Sequence, residues 1–158
     1  MSAQDLPGPP GNSLFEGIVR QISEAIIFAD RDGVIRVWNR GAEALFGFPA
    51  SEATGSSLDI IIPERFRPAH WDGFHRAIAL GRTQHEGQIR TTRAVHRDGR
   101  KLYVDMSFGV ITGSDGSAVG SVAMARDATP RREAEAALRT RIDALERGTA
   151  DGDGKAIP

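Results

Sequence analysis

The chain has 158 residues, 40% apolar and 26% charged, enough for one compact domain with terminal extensions and not for two. Its apolar runs fall far short of the roughly 18 residues of a membrane span. Twenty basic and twenty-one acidic residues leave a formal charge of −1, so neither a membrane nor nucleic acid is an expected partner. The absence of cysteine excludes disulfides, thiolate metal sites, iron–sulfur clusters, cysteine nucleophiles and flavin–cysteinyl photochemistry.

Residues 1–12, with Pro7, Pro9, Pro10, Gly8 and Gly11, read as a disordered tail. The N-terminus lacks the basic start and apolar stretch of an export signal, which makes the cytoplasm the expected location. Ser13 then stands as a cap before Leu14, Phe15, Ile18, Val19 and Ile22, whose three-and-four spacing predicts an amphipathic N-terminal helix. Residues 25–29 and 34–38 are apolar, β-branched runs on either side of a turn containing Asp32-Gly33, the signature of a β-hairpin.

Asn39 is placed to cap a helix over 40–46 that Gly47 ends, and Pro49 with Ser51 opens a short helical turn closing near Gly55. A longer helix is predicted from Pro63 to Leu80, stopped by Gly81. Three strands follow, over 86–95, 101–111 and 119–126, joined by the turns Arg97-Asp98-Gly99-Arg100 and Gly113-Ser114-Asp115-Gly116. Pro130 introduces a final helix over 131–147, where Ala134, Leu138, Ile142 and Leu145 form an apolar stripe of two heptads at most. Residues 148–158 read as a second tail. The expected units are therefore the tail 1–12, a domain over 13–129, a coiled-coil output helix over 130–147 and the tail 148–158.

This order predicts an α+β fold: a five-stranded antiparallel sheet covered on one face by helices, with a helix at each end. The residues that fill it resemble the PAS family. They are Ile27-Phe-Ala-Asp-Arg-Asp-Gly33 running to Trp38-Asn39, then Ala42-Glu43, Leu45-Phe46-Gly47, Ile62-Pro63-Glu64, His96-Arg97-Asp98-Gly99 and Arg126-Asp127-Ala128-Thr129. Each piece alone is a common turn or cap; in order and at these spacings they cover about residues 14–130. The resemblance implies a sensory module, with the Asp127-x-Thr129 junction coupling the last strand to the output helix.

Within the predicted helix, Phe66, His70, Phe74 and Ile78 recur every four residues and share a face. On the next-to-last strand Met106, Phe108 and Val110 form an inward row suited to a pocket wall, with ordinary core packing the simpler role for Val110. Two readings of His70 are open: a core histidine bonded to backbone carbonyls, or an axial ligand to haem iron, for which a neutral imidazole on an apolar face is suited.

From Ile62-Pro63-Glu64 to Arg97-Asp98-Gly99 the chain resembles FixL-type haem PAS domains without a gap. That resemblance implies haem b, with His70 on the iron and Arg90, twenty residues on, as the distal donor to bound dioxygen. His85 and Glu86 depart from it, since the distal wall of that family is apolar just before the arginine. The alternative is a haem-free PAS domain, sensing a small metabolite or acting as an interaction and dimerisation module.

His75, His85 and His96 make no metal-ligand spacing with His70, and neither a phosphate loop nor a nucleophile elbow is present, so an enzyme is not expected. The apolar stripes of the two terminal helices predict a homodimer. No recognisable effector follows the last helix, so the expected output is a separate signalling partner or a region beyond this chain.

Overall fold

In the computed structural model, which describes residues 12–150 and the side chains of residues 14–148, Ala25–Asp30 (β1) pairs antiparallel with Ile35–Trp38 (β2). Asp30 builds the turn between them. Its Oδ1 accepts the Asp32 and Val34 amides at 3.1 Å, and its Oδ2 takes Arg36 Nε at 2.6 Å. Gly33 has a φ of 76° and lies directly under the Trp71 ring, where a Cβ would collide.

The preceding helix, Asn12–Gln21 (α1), docks on the next one, Arg40–Phe46 (α2), through Asn39. The Asn39 carboxamide accepts from Ala42 N at 2.9 Å and Ile26 N at 2.8 Å, and donates to Val19 O and Glu24 O at 2.9 Å. A residue expected only to cap one helix therefore ties α1, β1 and α2 together, which is why a polar side chain is tolerated at 4% exposure. α1 begins at Asn12, so it takes in the last residue assigned to the first tail, and Ser13 stands inside the helix and not ahead of it as its cap; residues 1–11 and 151–158 lie outside what the structure describes.

Ala50–Ala53 (α3) and a 3-10 turn at Leu58–Ile60 lead to the long helix, which differs from its predicted form. Glu64–Phe66 is a 3-10 turn and the α-helix runs over Arg67–Leu80 (α4). Pro68 explains the division: without an N–H it is accommodated in the first helical turn but cannot donate back to Glu64. The remaining strands are Arg90–Val95 (β3), Lys101–Thr112 (β4) and Ala118–Asp127 (β5). β3 begins four residues later than its sequence suggests, because the segment from Glu86 to Ile89 is exposed and Gly87 turns the backbone at a φ of 72°.

The sheet order is β2-β1-β5-β4-β3, antiparallel throughout, with Ile27 opposite Ala123 where the first strand meets the last. Ile27, Ile35, Val104 and Leu102 pack from the sheet against Phe46, Ala42, Ala53 and Ile61 from the helical layer. The fold is the expected α+β arrangement. The last helix, Thr129–Ala150 (α5), is longer than predicted at both ends and absorbs residues assigned to the second tail. Its start is anchored: Asp127 Oδ1 accepts the Thr129 amide at 2.8 Å, and Thr129 Oγ1 accepts the Tyr103 amide at 3.0 Å. Among the described residues, no helix is long and apolar enough to cross a membrane.

Candidate functional site

Between α4 and the inner face of the sheet lies a cavity of about 360 Å³. Small residues create it. Ala69, Gly73 and Ala77 stand at four-residue intervals on α4, and Ala29, Ser121 and Ala123 face them from β1 and β5. A Cβ added at Gly73 would meet nothing within 4 Å, as expected of a helix face turned to open space. This small-residue stripe was present in the sequence and is the signal that marks the site most directly.

Of the residues singled out from the sequence, Phe66, His70, Phe74, Arg90, Met106 and Phe108 all border the cavity and Ile78 does not. Helical geometry accounts for the exception: at about 100° per residue, a position eight steps from His70 has rotated about 80° away, whereas seven steps returns within about 20°. Ala77 therefore faces the cavity instead. Phe74 is buried and Phe66 half turned to solvent at the mouth.

His70 packs its ring 5.0 Å from Trp71, edge on, and 6.1 Å from Phe74, stacked. Trp71 holds this part of α4 in place through Nε1, which donates to Asp59 Oδ1 at 2.9 Å. The Nδ1 of His70 is buried with no hydrogen-bond partner among the described residues. Burial lowers the histidine's pKa from the ordinary imidazole value; nearby Asp59 opposes this and His75 adds to it. The ring is thus biased to its neutral form, and it is not the core histidine bonded to backbone carbonyls that one reading of the sequence allowed.

Arg90 borders the same cavity from the sheet and is itself exposed. Alternation of polar residues could not tell its direction, but its cross-strand partner is Met106, which is buried on the inner face, and directly opposed residues share a face. His85 borders the mouth, while Glu86 is exposed and outside the cavity, so no carboxylate is buried there. His75 stacks on Trp71 at 5.8 Å and His96 accepts the Asp98 amide at 3.2 Å, each occupied locally. No group of three or more His, Cys, Asp or Glu among the described residues is placed to hold a metal ion. A metal here would have to arrive within a larger group and take one protein ligand. A lone neutral imidazole with an unpartnered nitrogen, on an apolar wall, has the chemistry to be that ligand.

The family model described as PAS fold matches residues 13–128. The chain is 26% identical over 153 residues to the oxygen sensor protein DosP of Escherichia coli, covering 93% of this chain and 18% of that protein. It is 33% identical over 129 residues to two-component system protein A of Emericella nidulans, covering 80% of this chain and 18% of that one. It is 29% identical over 123 residues to sensor protein FixL of Bradyrhizobium diazoefficiens, covering 77% and 24%. The chain thus spans a quarter or less of the length of these relatives. The PAS domain structure from Colwellia psychrerythraea superposes with a TM-score of 0.66 at 22% identity, over 75% of this chain and 98% of that one. With the matched residues spanning both the sheet and the helical layer that enclose the cavity, the chain belongs to the PAS family and is a sensory domain of that fold.

Proposed function

We propose that this domain binds haem b in the α4 cavity, senses dioxygen, and signals as a homodimer through α5 to a separate cytoplasmic partner, without catalysing a reaction of its own. The observation that carries the reading is His70, a half-buried imidazole biased to neutrality, which borders a largely apolar cavity and whose Nδ1 has no hydrogen-bond partner among the described residues. Haem, when bound, supplies an iron that takes one protein nitrogen and leaves a position for a diatomic ligand. His70 is the residue able to provide that nitrogen, and Trp71 and Phe74 fix its ring. Arg90 presents guanidinium donors from the facing strand, suited to a ligand that gains negative charge, such as dioxygen, more than to carbon monoxide. Met106, which is buried, and Phe108, which is partly open to solvent, make that wall apolar. Similarity to a relative described as an oxygen sensor supports the choice of signal.

The dimer rests on exposed apolar surface. Leu14, Phe15 and Ile18 of α1, and Leu138, Ile142 and Leu145 of α5, are all exposed. The α5 positions follow four-and-three spacing, and beyond its first turns the helix has little of the domain to pack on, so a second copy of α5 is the natural cover.

The test is titration of the ligand-free protein with haem b, followed by visible absorption under nitrogen, dioxygen and carbon monoxide. One equivalent is expected to bind with a sharpened Soret band that moves with each gas; a spectrum equal to that of free haem refutes the proposal. A second reading is favoured by the cavity's size, which lies toward the small end of the ~300–1,000 Å³ range of ligand pockets. A compact metabolite fits such a space as it stands, whereas a porphyrin needs its edge at the mouth between α4 and β3. Native mass spectrometry of freshly purified protein distinguishes the two.

A further inference from the structure

The two outer edges of the sheet, β2 and β3, differ in what covers them. Along β2, Ile35 N donates to Ser56 O at 2.9 Å, Gly55 N to Ile35 O at 2.8 Å and Leu58 N to Gly33 O at 3.1 Å, so the segment after α3 occupies that edge. Along β3 the cover stops after one bond, from Val95 N to Ile61 O at 2.9 Å. Successive residues of an antiparallel strand bond to alternate sides. The bond from His96 N to Arg100 O at 3.0 Å, with the register that follows it, directs Ala94, Thr92 and Arg90 to β4 and turns the N–H and C=O groups of Arg93 and Thr91 outward. Those groups have no hydrogen-bond partner among the described residues, and Arg90, Thr91, Thr92 and Arg93 are all exposed. Unpaired backbone along a strand edge is a template for another strand.

Charge selects which strand. β3 carries Arg90 and Arg93 and no acid, and neither guanidinium has an ion pair among the described residues; Arg93 lies over the Tyr103 ring at 5.7 Å. Asp105, across from Thr91, is already taken by Arg131 and by the Thr91 hydroxyl. Two-fold pairing of β3 with a second copy would set the arginines of both chains on one short ladder, where like charges oppose association. An extended segment with carboxylates at alternate positions meets the same edge with the opposite charge.

We propose that the open edge of β3 is a docking site at which an extended acidic segment of a partner protein adds to the sheet. The backbone of that segment bonds to Thr91 and Arg93, and its carboxylates meet the arginines. A strand added there abuts both the cavity, bordered by Arg90 and Thr92, and the Thr91–Asp105–Arg131 contact to α5. This names the chemistry of the separate partner and rests on the reading above only for that partner's signalling role.

The probe is an end-capped peptide of about six residues alternating valine and glutamate, titrated into the full chain without haem and followed by amide hydrogen exchange. Exchange at Thr91 and Arg93 is expected to slow while β2 is unchanged, and the valine–lysine counterpart is expected to have no effect. Arg93→Pro removes an outward N–H and no bond to β4, and Arg93→Glu keeps that N–H and reverses the charge. Each is expected to weaken binding about tenfold or more; if circular dichroism shows the proline variant unfolded, the glutamate variant decides. The proposal is overturned if the glutamate peptide leaves Thr91 and Arg93 unprotected at up to about 1 mM, if the lysine peptide protects them equally, or if binding survives the variants. It is overturned too if both amides are protected before any peptide is added and light scattering shows that Arg93→Glu breaks a dimer, since a second copy then holds the edge. Haem is absent throughout, so failure of the haem reading leaves this outcome unchanged.

Discussion

Arg131 donates through Nη2 to both carboxylate oxygens of Asp105, at 3.0 and 2.9 Å, and Asp105 Oδ1 also accepts the Thr91 hydroxyl at 2.5 Å. Thr91 lies on β3 between Arg90 and Thr92, which both border the cavity, and Arg131 lies in the first turn of α5. One carboxylate on the outer face of β4 thus ties the wall of the cavity to the start of the output helix. Asp105→Asn keeps the shape and removes the charge. Amide hydrogen exchange in the first two turns of α5 is expected to quicken several-fold in this variant, with the β1–β2 hairpin unchanged.

The same carboxylate sets an acid limit. The Thr91 hydroxyl, and after it Arg131, hold Asp105 below the ordinary carboxylate range. A lowered folded-state pKa means that the contact contributes fully above the unfolded value, near 4, and is lost as pH falls through the lower folded value. Exchange in α5 should therefore rise in acid at a pH beneath the usual aspartate range in the wild type, and show no such step in Asp105→Asn.

His70 gives a pH dependence in a different window. Burial lowers its folded pKa, whereas in the unfolded chain it titrates near 6.5. Between those values the unfolded state binds more protons, so the stability of the ligand-free protein should fall as pH drops below about 6.5 and level off beneath the folded value. Urea midpoints at pH 7.5 and 5.5 measure this, and His70→Leu is expected to show a smaller difference between the two.

Asn39→Ala removes four hydrogen bonds at once and leaves backbone groups of Val19, Glu24, Ile26 and Ala42 without that partner. The loss should be upward of about 2 kcal/mol by denaturant titration, larger than for an ordinary helix cap.

Leu138→Glu with Ile142→Glu places charge on the exposed α5 stripe. Light scattering at high concentration should report a dimer for the wild type and a monomer for the double variant; a monomeric wild type contradicts the proposed assembly.

Much of the fold was legible because its punctuation is local. Asp32-Gly33 marks a turn wherever it stands between two β-branched runs, and Asn39 and Gly47 bracket a helix by backbone chemistry alone. The pairing of β1 with β5 joins segments about 100 residues apart and had no such local sign. The candidate site was legible in part. A four-residue rhythm on α4 pointed to Phe66, His70 and Phe74, but extending it to Ile78 ignored the accumulating rotation that brings Ala77 round instead. The direction of Arg90 was fixed by its register with Met106, a relationship that exists only across strands.

The most direct measurement is the visible and resonance Raman spectrum of the haem-reconstituted protein beside His70→Gly, with and without added imidazole. Ligation by His70 requires the ferrous wild type to show an iron–histidine band that disappears in His70→Gly and returns when imidazole is supplied. An identical spectrum in the wild type and the glycine variant would contradict the assignment of this cavity as a haem site built around His70.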